Sequence, residues 1–212
     1  MNNNLVEVIC ILDASGSMSP FADDTIGGFN SFINSQKENT GETRVTLVTF
    51  NNNINTVYEQ KNAQEIQSLT SAEYHPTGYT ALLDAVGITI SSVGKRLSET
   101  PEEQRPHKVI VMISTDGQEN SSKEFSRKQI KAMIEEQTNK YSWQFLFTGA
   151  NIDAVAEAKS LGIDEKFASN YSYNSDGIKS VYRSLSAVTN MSKRSDKVSL
   201  DELEASFKNN IE

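Results

Sequence analysis

Val8-Ile9-Cys10-Ile11-Leu12-Asp13-Ala14-Ser15-Gly16-Ser17 is the stretch that decides the fold of this chain. Five apolar residues in succession read as a central strand covered on both faces. The strand runs directly into a loop that offers one carboxylate and two hydroxyls on alternate residues. Every second side chain of an extended segment points the same way, so Asp13, Ser15 and Ser17 can converge on one point above the strand end. Small oxygen ligands meeting at a point suit a hard divalent cation, magnesium first, which prefers octahedral oxygen and keeps some water. The two hydroxyls add no charge, so a cation held there keeps a strong attraction for an anion.

Outward from this stretch, strand-like and helix-like segments alternate. The other strand candidates are Thr43–Phe50, Asn53–Glu59, Lys108–Ser114, Ser142–Thr148 and a weak Glu165–Ala168. Asn51-Asn52-Asn53 reads as a hairpin turn, because asparagine tolerates left-handed backbone, and this makes Asn53–Glu59 an antiparallel edge strand. Helical stripes follow at Ile26, Phe29 and Ile33, behind the start signal Ser19-Pro20, and at Leu82, Val86, Ile90, Val93 and Leu97. Narrower faces lie at Ile130, Met133 and Ile134, and at Ile152, Val155, Ala156 and Leu161, the latter closed by Gly162. The cleanest stripe is Ile178, Val181, Tyr182, Leu185 and Val188. Apolar strands alternating with helices imply an α/β, doubly wound sheet with helices on both faces. Ligands of such folds bind outside the carboxyl ends of the strands, which is where residues 13–17 lie.

Composition narrows the partners. The chain has 212 residues, one domain's worth, with 37% hydrophobic and 23% charged side chains. A net charge of −8, with no stripe of Lys and Arg to reverse it locally, argues against nucleic acid. Cys10 is the lone cysteine and reads as a small buried side chain. Residues 1–4 do not open a secretory signal and no apolar run is long enough to span a membrane, so the expected location is the cytoplasm. After Met191 the composition turns polar. Residues 1–191 therefore read as the domain, and 192–212 as a polar linker with a short amphipathic helix. In that helix Ser199 and Glu202 have capping-box spacing, and Leu200, Leu203, Phe207 and Ile211 share a face.

Two further segments place oxygen ligands at element ends. Thr77-Gly78-Tyr79-Thr80 opens the Leu82 helix, and Ser114-Thr115-Asp116-Gly117 closes the strand before it. The combination of Asp-x-Ser-x-Ser at 13–17, Thr80 before Ala81-Leu82, and Asp116 within Ser-Thr-Asp-Gly resembles the metal-ion-dependent adhesion site of the von Willebrand factor A domain. The resemblance spans roughly Leu5 to Tyr173. It implies a Rossmann-like sandwich with sheet order 3-2-1-4-5-6. It also implies a metal, Mg²⁺ with Mn²⁺ or Ca²⁺ as substitutes, bound by the hydroxyls of Ser15, Ser17 and Thr80. Asp13 and Asp116 would hold ligand waters, and a Glu or Asp carboxylate of a protein partner would fill the remaining position. The chain is most similar to small standalone bacterial members that act as adaptors. Tyr74, His75, Tyr79 and Asn151 stand next to these segments and are candidate rim contacts; Asn151 also reads as a helix cap.

Two rival classes share these residues. A Mg²⁺ site beside an aspartate also describes a phosphohydrolase, but a dehalogenase-type enzyme needs a second carboxylate where Ser15 stands. A serine hydrolase would need Gly-x-Ser-x-Gly and a histidine base, and the only histidines, His75 and His107, read as loop residues. The pattern is not that of an enzyme. The third class is a structural subunit whose metal only stabilises the fold.

Overall fold

In a computed structural model, which describes residues 1–194 and 198–211, the apolar run forms the heart of β1 (Asn2–Asp13). Its residues from Leu5 to Leu12 are 0–2% exposed, as expected of a strand covered on both faces. The six-stranded sheet has the order β3-β2-β1-β4-β5-β6. The partners of β1 are β2 (Glu42–Phe50) and β4 (Pro106–Thr115), both parallel to it. β5 (Gln144–Gly149) and the short β6 (Ala168–Asn170) continue the parallel side. Only β3 (Ile54–Asn62) runs antiparallel, beyond the Asn51–Asn53 turn, and its side chains are half-exposed as an edge strand's should be.

Among the described residues six α-helices surround the sheet: α1 (Ala22–Glu38), α2 (Leu82–Glu99), α3 (Arg127–Tyr141), α4 (Ala154–Ser160), α5 (Ser175–Arg194) and α6 (Leu200–Lys208). On one face α1 and α5 pack so closely that the Tyr182 ring occupies the space a Cβ on Gly28 would need. On the other face α2 delivers Arg96 to Glu7, a carboxylate 1% exposed in the middle of β1. Burial pushes the Glu7 carboxyl up and the Arg96 guanidinium partly offsets it. Among the described residues no helix is long and apolar enough to cross a membrane.

Several local expectations shift. Pro20 does not open α1; it lies inside a 3₁₀ turn over Gly16–Phe21, and α1 starts at Ala22. The expected strand at Glu165–Ala168 is a 3₁₀ turn over Glu165–Phe167 followed by β6. The buried face of α4 is Ala154 and Ala158 rather than Val155 and Ala156. Ser192–Arg194, read as linker, are the last turn of α5, with Ser192 buried. The rest of that linker, 195–197, lies outside the described residues. His107 is a half-buried residue of β4 whose Nε2 meets the Ser192 carbonyl at 3.1 Å, not a loop residue.

The terminal helix carries the expected capping box at Ser199 and Glu202 and packs on α5. Ser184 and Ser180 of α5 donate to the carbonyls of Phe207 (2.9 Å) and Ile211 (3.0 Å). Leu203, Phe207 and Ile211 are buried, whereas Leu200, expected on the same face, is 58% exposed in the first turn. Phe207→Ala should therefore cost about 3 kcal/mol or more and lower the melting temperature by roughly 6–12 °C. Leu200→Ala should leave it almost unchanged. Circular-dichroism melts of the two variants check this, and equal melts would mean that α6 contributes no packing.

Candidate metal centre

β1 and β4 run side by side and end at the same level, so the parallel register brings Asp13 next to Thr115 and Asp116. Asp13 is 1% exposed and uses both oxygens inside the protein. Oδ1 accepts the Ser15 backbone N–H at 2.7 Å and Oδ2 accepts the Thr115 hydroxyl at 2.6 Å. The first bond turns the chain back over the strand end and aims Ser15 and Ser17 in the same direction. Their hydroxyl oxygens are 3.1 Å apart, and Ser17 Oγ donates to Asp116 Oδ1 at 2.8 Å. Asp116 is 3% exposed, and its Oδ2 is buried with no hydrogen-bond partner.

Thr80 arrives from the loop before α2. Gly16 N–H donates to the Gly78 carbonyl at 3.1 Å, and Thr77 N–H to the Ala14 carbonyl at 2.8 Å, which binds this loop to the first one. Gly78 has φ +76, and the Asn52 side chain lies where its Cβ would be, so only glycine fits. Asn52 Oδ1 and Asn120 Oδ1 then accept the Tyr79 and Thr80 N–H groups at 2.8 and 2.9 Å. The Thr80 hydroxyl oxygen comes to 3.8 Å from the point a Gly117 Cβ would occupy, beside Asp116. The loop after Asp116 is held from behind. Asp84 in the first turn of α2 accepts the N–H groups of Lys123, Glu124 and Phe125 at 2.7–2.9 Å. Glu119 accepts those of Leu83, Ser121 and Ser122 at 2.8–2.9 Å.

Asp13, Ser15, Ser17 and Asp116 thus form one hydrogen-bonded cluster, with Thr80 at its side. Of the four rim candidates, His75, Tyr79 (66% exposed) and Asn151 face solvent. Tyr74 does not: it is 0% exposed and its hydroxyl donates to the Asp13 carbonyl at 2.5 Å, beneath the site. Its ring is apolar enough to belong in the core once the hydroxyl has a buried acceptor. Nor does Asn151 cap α4. It takes left-handed backbone at φ +55, and Asp153 caps instead, accepting the Ala156 N–H at 3.0 Å. Sequence reasoning passed over Tyr173, whose hydroxyl donates to the Ser17 carbonyl at 2.5 Å and whose ring stands edge-on to Phe21 at 4.5 Å. Burial first, and the Asp116 charge second, push its phenol up. No local signal marks a contact across 156 residues, whereas Thr115 and Asp84 stood in plain view next to motif residues.

The von Willebrand factor type A domain family model matches residues 7–183. The chain belongs to that family. Solved structures similar to the A domain are distant in sequence and bear on fold. Proximal thread matrix protein 1 of the mussel byssus, solved with a zinc-occupied metal-ion-dependent adhesion site motif, is 15% identical with a TM-score of 0.58. The match covers 87% of this chain and 46% of the mussel protein. A von Willebrand factor type A protein of Catenulispora acidiphila is 17% identical (TM-score 0.58), over 87% of this chain and 42% of that one. The manganese-loaded TRAP protein of Plasmodium vivax is 18% identical (TM-score 0.54), over 82% and 71%. The chain thus spans less than half the length of the mussel and Catenulispora proteins. Among curated protein sequences none is similar enough to count as a relative.

The cluster fits a divalent cation on its own chemistry. It offers three hydroxyls, two carboxylates and one carboxylate oxygen left without a partner, all oxygen and compact. Burial first, eased by the hydrogen bonds from Thr115 and Ser15 and aggravated by Asp116, pushes the Asp13 carboxyl up to about 6. A group raised in this way stabilises the metal-free fold below its unfolded value near 3.8, and that contribution is lost as pH rises through about 6. A cation has the opposite demand, because it binds the ionised form and must displace the proton. Affinity for Mn²⁺ or Mg²⁺ should therefore be level above pH 7 and fall by about tenfold per unit once pH drops below about 6. Calorimetric titrations between pH 5 and 8 check this, and an affinity independent of pH would remove Asp13 from the site.

Proposed function

We propose that this A domain is a metal-dependent protein-binding module. In this reading Ser15, Ser17 and Thr80 hold the cation through their hydroxyls, while Asp13 and Asp116 hold ligand waters and neutralise its charge. Mg²⁺ is the preferred ion, with Mn²⁺ or Ca²⁺ able to replace it. Bound there, the cation supplies a Lewis-acidic point that a Glu or Asp of a partner protein can fill. The observation that carries the reading is Asp116 Oδ2: a buried carboxylate oxygen with no partner, next to the hydroxyls of two serines. Such an oxygen is costly to keep unless something cationic or hydrated meets it. The partner is a protein rather than a nucleic acid, because a chain of net charge −8 repels phosphate backbones. An adaptor role in the cytoplasm belongs to the same reading.

Metal-linked stability tests it. With Mg²⁺ about 100-fold above its dissociation constant, linkage supplies about 2.7 kcal/mol, a melting shift of roughly 5–10 °C for a domain of this size. Melts in chelator and in millimolar Mg²⁺ should differ by that amount, and Asp116→Ala should abolish the difference with the fold retained. Superimposable wild-type melts would rule the site out.

Turnover is not part of the reading. Phosphatase and nucleotidase assays of homogeneous protein should stay at background, and an activity that disappears in Asp13→Asn would put the phosphohydrolase in place of the binding module.

A further inference from the structure

The loops at the carboxyl end of the sheet have a charge pattern unlike the rest of the chain. The parts of them beside Asp13 and Asp116 are residues 14–21, 51–53, 74–80, 116–120, 150–153 and 171–174. None contains Lys or Arg, and the only charged residues are Asp116, Glu119 and Asp153, in a chain with 23% charged side chains. Glu119 is taken up by three backbone N–H groups and the Ser122 hydroxyl, and Asp153 by the cap of α4. Beyond residue 120 the same loop adds exposed Lys123 and Glu124, and α3 opens on Arg127, which pairs with Glu157, and on exposed Lys128. Around the perimeter Asp23 and Asp24 open α1 and Asp176 opens α5. What faces solvent is asparagine, serine, threonine, histidine and tyrosine, with Tyr79 at 66% and Tyr173 at 36% exposure the largest side chains.

A divalent cation at the centre is matched by the two carboxylates of Asp13 and Asp116, and the hydroxyl ligands contribute no charge. Because both aspartates meet it through waters in the reading proposed above, the metal keeps one open position, which one incoming carboxylate fills. A second acid beside it meets no cation within these segments, and around them the acids Glu119, Glu124, Asp153 and the perimeter aspartates outnumber the exposed bases Lys123 and Lys128. In water each such acid within a Debye length of those charges loses about twofold in affinity. The exposed amides, hydroxyls and phenols offer instead hydrogen bonds and flat aromatic contact, the chemistry by which Tyr-rich and Asn-rich surfaces bind proteins. Resting on the metal-bridged reading above, we propose that this face selects a protein segment presenting one carboxylate flanked by uncharged polar or aromatic residues, and rejects acid-rich segments.

The test is a displayed peptide library with a fixed central Glu and randomised flanks, selected on the metal-loaded full chain and released by chelator. A second library has Gln at the fixed position. The expected result is that the Glu library alone yields chelator-released clones, with Asp and Glu in the flanks reduced at least about twofold from the input. Binding of individual clones should change less than about threefold between 50 and 300 mM NaCl, because no long-range charge attraction is being screened. Selection on Gln118→Lys/Ser172→Lys, which puts two cations on the rim, should restore acids in the flanks. Chelator-released clones with unbiased or acid-enriched flanks on the unaltered protein would overturn the proposal and leave the metal bridge standing. Equal yields from the Glu and Gln libraries, or no chelator-released clones, would remove the metal bridge itself and the proposal with it.

Discussion

The hydrogen bonds of Asp13 hold the carboxyl end of the sheet together. One oxygen fixes the chain reversal at Ser15, and the other ties the end of β1 to the hydroxyl of Thr115 at the end of β4. The two strands already run in parallel register, but backbone pairing alone would leave their terminal side chains free to splay. With the carboxylate in place, Ser15, Ser17 and Asp116 meet within hydrogen-bonding reach. From below, Tyr74 donates its hydroxyl to the Asp13 carbonyl, so the same residue is held through its backbone as well. A site that must grip a small ion needs this kind of preorganisation, because ligand oxygens displaced by half an ångström no longer form one coordination sphere.

The loops that complete the cluster are rigid for a reason of the same kind. Residues 117–126 have little regular structure, so their backbone N–H groups must find acceptors elsewhere. Asp84 and Glu119 meet five of them between the two carboxylates, and Phe125 packs where a Cβ on Gly87 would stand. Asn52 and Asn120 do the same for the segment that carries Thr80. Loop order here comes from side-chain acceptors with fixed geometry rather than from apolar burial.

The doubly wound α/β class, the antiparallel edge and all six helices were legible in the sequence from apolar periods, the Asn51–Asn53 turn and the Ser199 capping box, whereas the sheet order came from the family resemblance. The Val8–Leu12 run could only be central, and the α5 stripe at Ile178 to Val188 could only face a core. The motif residues were legible because Asp13, Ser15 and Ser17 are close in sequence. What escaped was set by contacts between distant segments. Tyr74 looked like a rim aromatic until its hydroxyl found the Asp13 carbonyl, 61 residues away, as a buried acceptor. Asn151 looked like a cap until Asp153 proved better placed. Pro20 looked like the first residue of α1, but the cluster needs a tight 3₁₀ turn over Gly16–Phe21 before the helix can begin. Glu7, a charge in the middle of the central strand, was visible but unexplained without Arg96.

Among the described residues four carboxylates are buried, and their treatment separates structure from function. Glu7 is matched by a guanidinium. Asp84 receives three backbone N–H groups. Asp13 receives one N–H and one hydroxyl, too little to offset its burial, and its carboxyl is pushed up to about 6. Asp116 receives one serine hydroxyl, has the Tyr173 phenol near it, and keeps an oxygen without a hydrogen-bond partner. The same chain that gives Glu7 a guanidinium and Asp84 three N–H groups leaves two other buried acids without a cation, side by side at the end of parallel strands. Folding gains nothing from that deficit, since an apolar pair of similar volume would cost less. The deficit makes sense as a place reserved for a cation, and the neutral, aromatic and amide-rich surface around it is what one further carboxylate would meet.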